Sequence, residues 1–141
     1  DPKVEFGSTY DYPYLSVCTT GTHDMNPLRA WWEEDRGVTQ RFYNQVLGAW
    51  GDAPYFCEPW ICEQVVAMHL KSPAMLTVLP LQDWLAMDGE LRRENPNDER
   101  INVPANSRHY WRYRMHLSLE ELLKADNLNA MIRQKIAESG R

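Results

Sequence analysis

Only two segments of this chain read as β-strand, and they lie far apart with helical patterns between them. Tyr14 to Thr20 is a short run of apolar and β-branched residues that stops at Gly21. Met75 to Leu79 is almost wholly apolar, the pattern of a parallel strand covered on both faces, and Pro80 closes it. A strand, then helices, then a second strand and another helix is a βα rhythm, which predicts an α/β fold. Two strands do not make a stable sheet on their own. The expected sheet is therefore larger than these residues supply.

The helical stretches carry their own punctuation. Residues 1–13 read as an irregular lead-in. Asn26 suits an N-cap and Pro27 a first turn, for a helix from Leu28 to about Asp35 that breaks near Gly37. Phe42 and Val46 recur at helical spacing in a second helix from about Thr39 to Leu47. A third opens at Pro59 and runs to about Lys71, with Ile61, Val65, Met68 and His69 as its apolar stripe. Leu81 to Met87 forms a short helix after the second strand. Residues 88–107 are polar and rich in asparagine, which predicts a long surface loop of functional or mobile character. Residues 118–139 are terminal helices: Ser118-Leu119-Glu120-Glu121 is a capping-box sequence, Asp126 suits a cap, and Gly140 fits the end.

At 141 residues the chain suits one modest domain. A complete eight-stranded α/β barrel needs about 250. The formal charge of −5 argues against nucleic acid or an anionic membrane as partner, while a neutral sugar is compatible. No run approaches the ~18 apolar residues of a membrane span. Cys18, Cys57 and Cys62 lack a disulfide-framework spacing and read as buried free thiols of a reducing compartment, which predicts a cytoplasmic location.

The chemistry concentrates where the first strand ends. Gly21-Thr22-His23-Asp24 delivers an imidazole and a carboxylate side by side. Polar residues just past the carboxyl end of a barrel strand sit at the catalytic face. Such a carboxylate can hold sugar hydroxyls, stabilise positive charge at an anomeric carbon or ligate a metal. A metal needs three or more converging ligands, and His69, His109 and His116 form no ligand-spaced motif with His23. Trp31, Trp32, Trp60 and Trp84 suit a core better than a sugar platform, given the area that tryptophan buries.

Gly21-Thr22-His23-Asp24, followed by Leu28-Arg29-Ala30-Trp31-Trp32-Glu33-Glu34-Asp35, resembles the 4-α-glucanotransferases of glycoside hydrolase family 77, the amylomaltases and disproportionating enzymes. Leu79 to Leu85 resembles the family's last barrel strand and the turn after it. Asn102-Val103-Pro104 and Tyr110-Trp111-Arg112-Tyr113-Arg114 resemble its later Asn-x-Pro and Asn-Trp-x-Trp-Arg segments. The resemblance implies the C-terminal fragment of a (β/α)8 TIM barrel, mostly helical with two short parallel-type strands at about 14–20 and 75–79. It implies that Asp24 stabilises the transition state and that His23 binds the sugar beside the cleaved bond. Asp83, Trp111 and Arg114 are further candidates for substrate contact, Asp83 equally for capping the turn after its strand.

Met25, Asn26, Tyr110 and Tyr113 depart from the simple bacterial pattern. They look more like the subgroup that includes the cytosolic disproportionating enzyme of plants, which acts on maltose and branched glycans. The implied partners are maltose, maltodextrin or a glycogen-like glycan, with no metal or organic cofactor. No residue here matches the family's nucleophilic aspartate or acid/base glutamate, which lie on earlier strands. The expectation is a piece of a longer enzyme, inactive alone and prone to self-association through open strand edges. Two other classes stay open: a freestanding helical glycan-binding module, and a metal-dependent hydrolase built on His23 and Asp24.

Overall fold

The computed structural model describes residues 5–141; the first four residues of the expected lead-in lie outside it. The two predicted strands meet as a parallel pair, β1 (Val17–Cys18) and β2 (Leu76–Thr77), with Val17 opposite Leu76 and Cys18 opposite Thr77. Each is shorter than expected. Ser16 N–H turns back to the Tyr14 carbonyl at 2.8 Å, a tight bend that ends the regular strand before Val17. Bonds from Met75 N–H to Tyr14 O (2.7 Å) and from Val78 N–H to Cys18 O (2.9 Å) extend the contact at either end.

Between the strands run α1 (Leu28–Glu34), α2 (Arg36–Gln45) and α3 (Pro59–Leu70). After β2 come α4 (Leu81–Leu85), α5 (Leu119–Leu123) and α6 (Asp126–Ser139). The break between α1 and α2 falls at Asp35 rather than Gly37. Asp35 leaves the helical conformation and its carboxylate accepts the Val38 N–H at 3.1 Å, so a side-chain cap, not glycine flexibility, decides the boundary. The capping box at Ser118 and Glu121 forms as expected. Asp126 lies in the first turn of α6, where its charge suits the helix dipole, instead of capping it. Gly140 ends α6 with φ of 78°, a left-handed cap that favours glycine.

Helix α3 is the centre of the core. Ile61, Cys62, Val65 and Val66 are all buried, and the helix packs against both α4 and α6. Trp32 fills the space beside them, and Trp31 and Trp84 pack against the same cluster. Trp60 departs from the core expectation: it lies at the rim of α3, 41% exposed, edge-on to Tyr43 at 6.2 Å. The three cysteines are free and buried, with the Cys57 and Cys62 sulfurs 3.4 Å apart. No helix of the described residues is long and apolar enough to cross a membrane.

The sheet is covered on one face only. Cys18 and Leu79 turn towards the helices and are buried. On the opposite face Leu15, Val17, Leu76 and Val78 are 49–81% exposed. The two-sided cover expected for β2 is absent among the described residues, and the bare apolar side belongs to the same strands that carry the candidate site.

Residues 88–107 form an irregular surface segment, as expected, pinned to the helices at one turn. A 3-10 turn, Pro96–Glu99, buries Pro96 and Glu99 against α1. Arg29 of α1 reaches the Glu99 carboxylate at 2.6 Å and also donates to the Arg93 carbonyl at 2.7 Å. Gln82 of α4 donates to the Glu99 carbonyl at 3.0 Å. Both partners of the ion pair are almost fully buried, so the loop is anchored at this point.

A candidate active-site corner at the strand ends

After β1 the chain turns sharply. Met25 N–H bonds to the Thr22 carbonyl at 3.1 Å, and the Thr22 hydroxyl accepts the Asp24 N–H at 3.4 Å. These local bonds, typical of threonine in turns, hold His23 and Asp24 outward at the carboxyl end of the strand. Their side chains are about half exposed, and His23 Nε2 lies 3.4 Å from Asp24 Oδ1.

The remaining parts of the corner come from far along the chain. Asn102 donates from Nδ2 to Asp24 Oδ1 at 2.6 Å. Trp111 lies against the His23 ring with centroids 5.5 Å apart, and His109 packs edge-on to Trp111 at 6.3 Å. His109 Nε2 donates to the Ile101 carbonyl at 2.9 Å, folding Ile101 to Trp111 back on itself so that both ends reach the corner. Asn102 is held in turn by Arg100, whose Nε donates to its carbonyl at 2.7 Å. The buried Arg29–Glu99 pair fixes the segment just before it.

Asp83 occupies a different place. It is 1% exposed, and its two carboxylate oxygens are taken by the Thr20 hydroxyl and by the Leu28 N–H, the latter at 3.0 Å. Asn26 does not cap α1, and Pro27 at the cap position has no side-chain acceptor. Asp83 supplies the missing acceptor from 55 residues away and places negative charge at the helix N-terminus. Burial pushes its carboxyl above the ordinary carboxylate range, against the opposing pull of Thr20, the Leu28 N–H and His69. The structure thus uses Asp83 to tie the end of β1 to the start of α1 and leaves no oxygen free at the surface. Burial of Glu99 likewise raises its carboxyl, with Arg29 opposing.

Arg114 is exposed and lines a shallow hollow with Arg93, Arg100, Arg112, His109 and two tyrosines. His23 and Asp24 are not on its wall. Of the sequence candidates, the fold brings His23, Asp24 and Trp111 together, tucks Asp83 behind them and sets Arg114 to one side. Asn102, Arg29 and Glu99 were missed as parts of the site. Asn102 sat in a motif already singled out, but nothing local told that its amide would face Asp24.

The corner is open. The cleft beside His23, between Gly21–Pro27 and Pro80–Asp83, has a volume of only about 30 Å³. Sugar-sized pockets start near ~300 Å³. Among the described residues no three His, Cys, Asp or Glu side chains are grouped to hold a metal ion.

His23 and Asp24 follow the carboxyl end of β1, the end of a parallel strand at which α/β enzymes place their active sites. The chain belongs to glycoside hydrolase family 77, the 4-alpha-glucanotransferases, whose sequence model matches residues 1–120. It is 40% identical over its whole length to the 4-alpha-glucanotransferase DPE2 of Oryza sativa subsp. japonica, of which it covers 15%. It is 32% identical to a 4-alpha-glucanotransferase of Chlamydia caviae, with 86% of this chain and 23% of that protein aligned. An amylomaltase from Streptococcus agalactiae, solved in complex with acarbose, matches the fold over 94% of this chain and 23% of that one, with a TM-score of 0.68 and 20% identity. The chain thus spans less than a quarter of the length of these relatives. The family resemblance carried by the motifs is confirmed.

Proposed function

We propose that this chain is the C-terminal part of a (β/α)8 catalytic barrel in a 4-α-glucanotransferase. The whole enzyme moves α-1,4-linked glucosyl or glucan units from maltose or maltodextrin to glycan acceptors, with retention at the anomeric carbon. Retaining transfer uses a nucleophilic carboxylate and an acid/base carboxylate about 5–5.5 Å apart around an oxocarbenium-like transition state. In this reading both come from other parts of the barrel. The bare apolar face of β1 and β2 and the open corner support it, because both need neighbours.

The observation that carries the reading is the hydrogen bond from Asn102 to Asp24 beside His23 and Trp111. Three separated sequence blocks meet there around one carboxylate. Asp24 holds sugar hydroxyls through contacts that tighten as positive charge develops on the ring. His23 donates to the same sugar, and Trp111 offers it a flat apolar face. Asp83 acts as a positioning residue behind them. A cytoplasmic setting fits the three free thiols.

Incubating the whole protein with maltose tests this. Glucose appearing together with longer α-1,4 maltodextrins is the expected result. Glucose as the sole product would mean hydrolysis and contradict the reading.

A further inference from the structure

We propose that the hollow lined by Arg93, Arg100, Arg112 and Arg114 binds the phosphate monoester of a phosphorylated sugar. The hollow is open and holds about 440 Å³. Four guanidinium groups share its wall, with Asp98 as its one carboxylate residue, in a chain whose formal charge is −5. Among the described residues none of the four is paired with a carboxylate, whereas Arg29 and Arg41 each are.

Their donors remain available. Arg112 lies over the Tyr110 ring at 4.9 Å and Arg93 over Tyr113 at 5.5 Å. Such stacking uses the face of a guanidinium and leaves its N–H edge for an anion. Arg93 spends one nitrogen on the Arg114 carbonyl, while its Nε is buried without any hydrogen-bond partner. Arg100 spends only Nε, on Asn102. A phosphate monoester carries close to two negative charges and three acceptor oxygens near neutral pH, the complement of several guanidinium forks.

The position favours phosphate carried on a sugar over free phosphate. Tyr110, Tyr113 and His109 line the same wall, which gives the hollow aromatic surface beside its guanidiniums. Ile101 lines both this hollow and the cleft beside His23, and Arg100 holds the residue that holds Asp24. A phosphorylated sugar seated here would lie next to the transfer corner. The assignment does not depend on glucan transfer, because it is read by binding alone.

Calorimetric titration of the whole protein with inorganic phosphate, glucose 6-phosphate and maltose at low salt tests it. Glucose 6-phosphate should bind more tightly than inorganic phosphate, and the double variant R112Q/R114Q should weaken it at least about tenfold. Both side chains are exposed, so the fold should survive, and R133Q on α6 should leave the affinity unchanged. Undiminished binding in R112Q/R114Q, or an equal loss in R133Q, overturns the site. Inorganic phosphate binding as tightly as the sugar phosphate overturns the sugar half of the assignment. Maltose affinity falling in parallel with that of glucose 6-phosphate makes the hollow a neutral-sugar surface and overturns the phosphate half.

Discussion

Asn102 donates its side-chain amide to Asp24 at 2.6 Å across 78 residues of sequence. Asp24 is half exposed in the turn that follows β1, so this bond and the nearby His23 ring fix its direction. Asn102→Ala should therefore leave maltose binding largely intact and slow turnover. We expect kcat of the whole enzyme to fall by about 10-fold to 10²-fold, the penalty of a misdirected catalytic group, with KM nearly unchanged. A matching rise in KM at constant kcat would instead make Asn102 a simple binding contact.

The Arg29–Glu99 pair sets the position from which Asn102 departs. Glu99→Ala leaves the Arg29 charge buried without its partner and should cost about 3–5 kcal/mol. Glu99→Gln keeps an acceptor for Arg29 and should cost clearly less. Urea unfolding of the dilute chain, followed by tryptophan fluorescence, orders the two. Equal small losses would mean that the segment is held by its backbone contacts alone.

Asp83 offers a pH test. Burial raises its folded-state pKa, so the folded chain holds this proton more tightly than the unfolded chain does. Its stabilising share is then complete below the ordinary aspartate value of about 4 and is lost as pH rises through the raised value. Asp83→Asn can still accept from Leu28 N–H and donate to Thr20 while removing that loss. The stability of D83N relative to wild type should thus climb as pH rises from about 4 towards neutrality. Asp83→Ala, by contrast, strands a buried N–H and should cost about 1–3 kcal/mol throughout. A D83N difference that is flat with pH would remove Asp83 as the titrating group.

The bare side of the sheet carries Leu15, Val17, Leu76 and Val78 next to unpaired strand edges. In isolation the chain should self-associate through this face. Sedimentation velocity should show oligomers that Val17→Lys with Val78→Lys disperses. A single monomeric boundary for the wild-type chain would show that the face needs no partner.

How far the sequence led is clearest residue by residue. Strand and helix positions followed from apolar runs, prolines and the Ser118 capping box, all of which act locally. His23 and Asp24 were legible because a glycine stop after an apolar strand marks a turn. Asp83 as the cap of α1, and Glu99 as the buried partner of Arg29, were not legible: each depends on contact across 55 and 70 residues. Polar composition around Glu99 points to a surface loop, and only tertiary pairing shows that Glu99 itself is buried within it. Strand lengths were overread because β propensity does not count the available partners.

Asp24→Asn in the whole enzyme, assayed for transfer from maltose, tests the central claim most directly. Asparagine keeps the size of the side chain and a bonding partner for Asn102 but removes the charge proposed to stabilise the transition state. Transfer should fall by about 10²-fold or more with the fold intact. Activity within about tenfold of wild type would contradict the role assigned to Asp24.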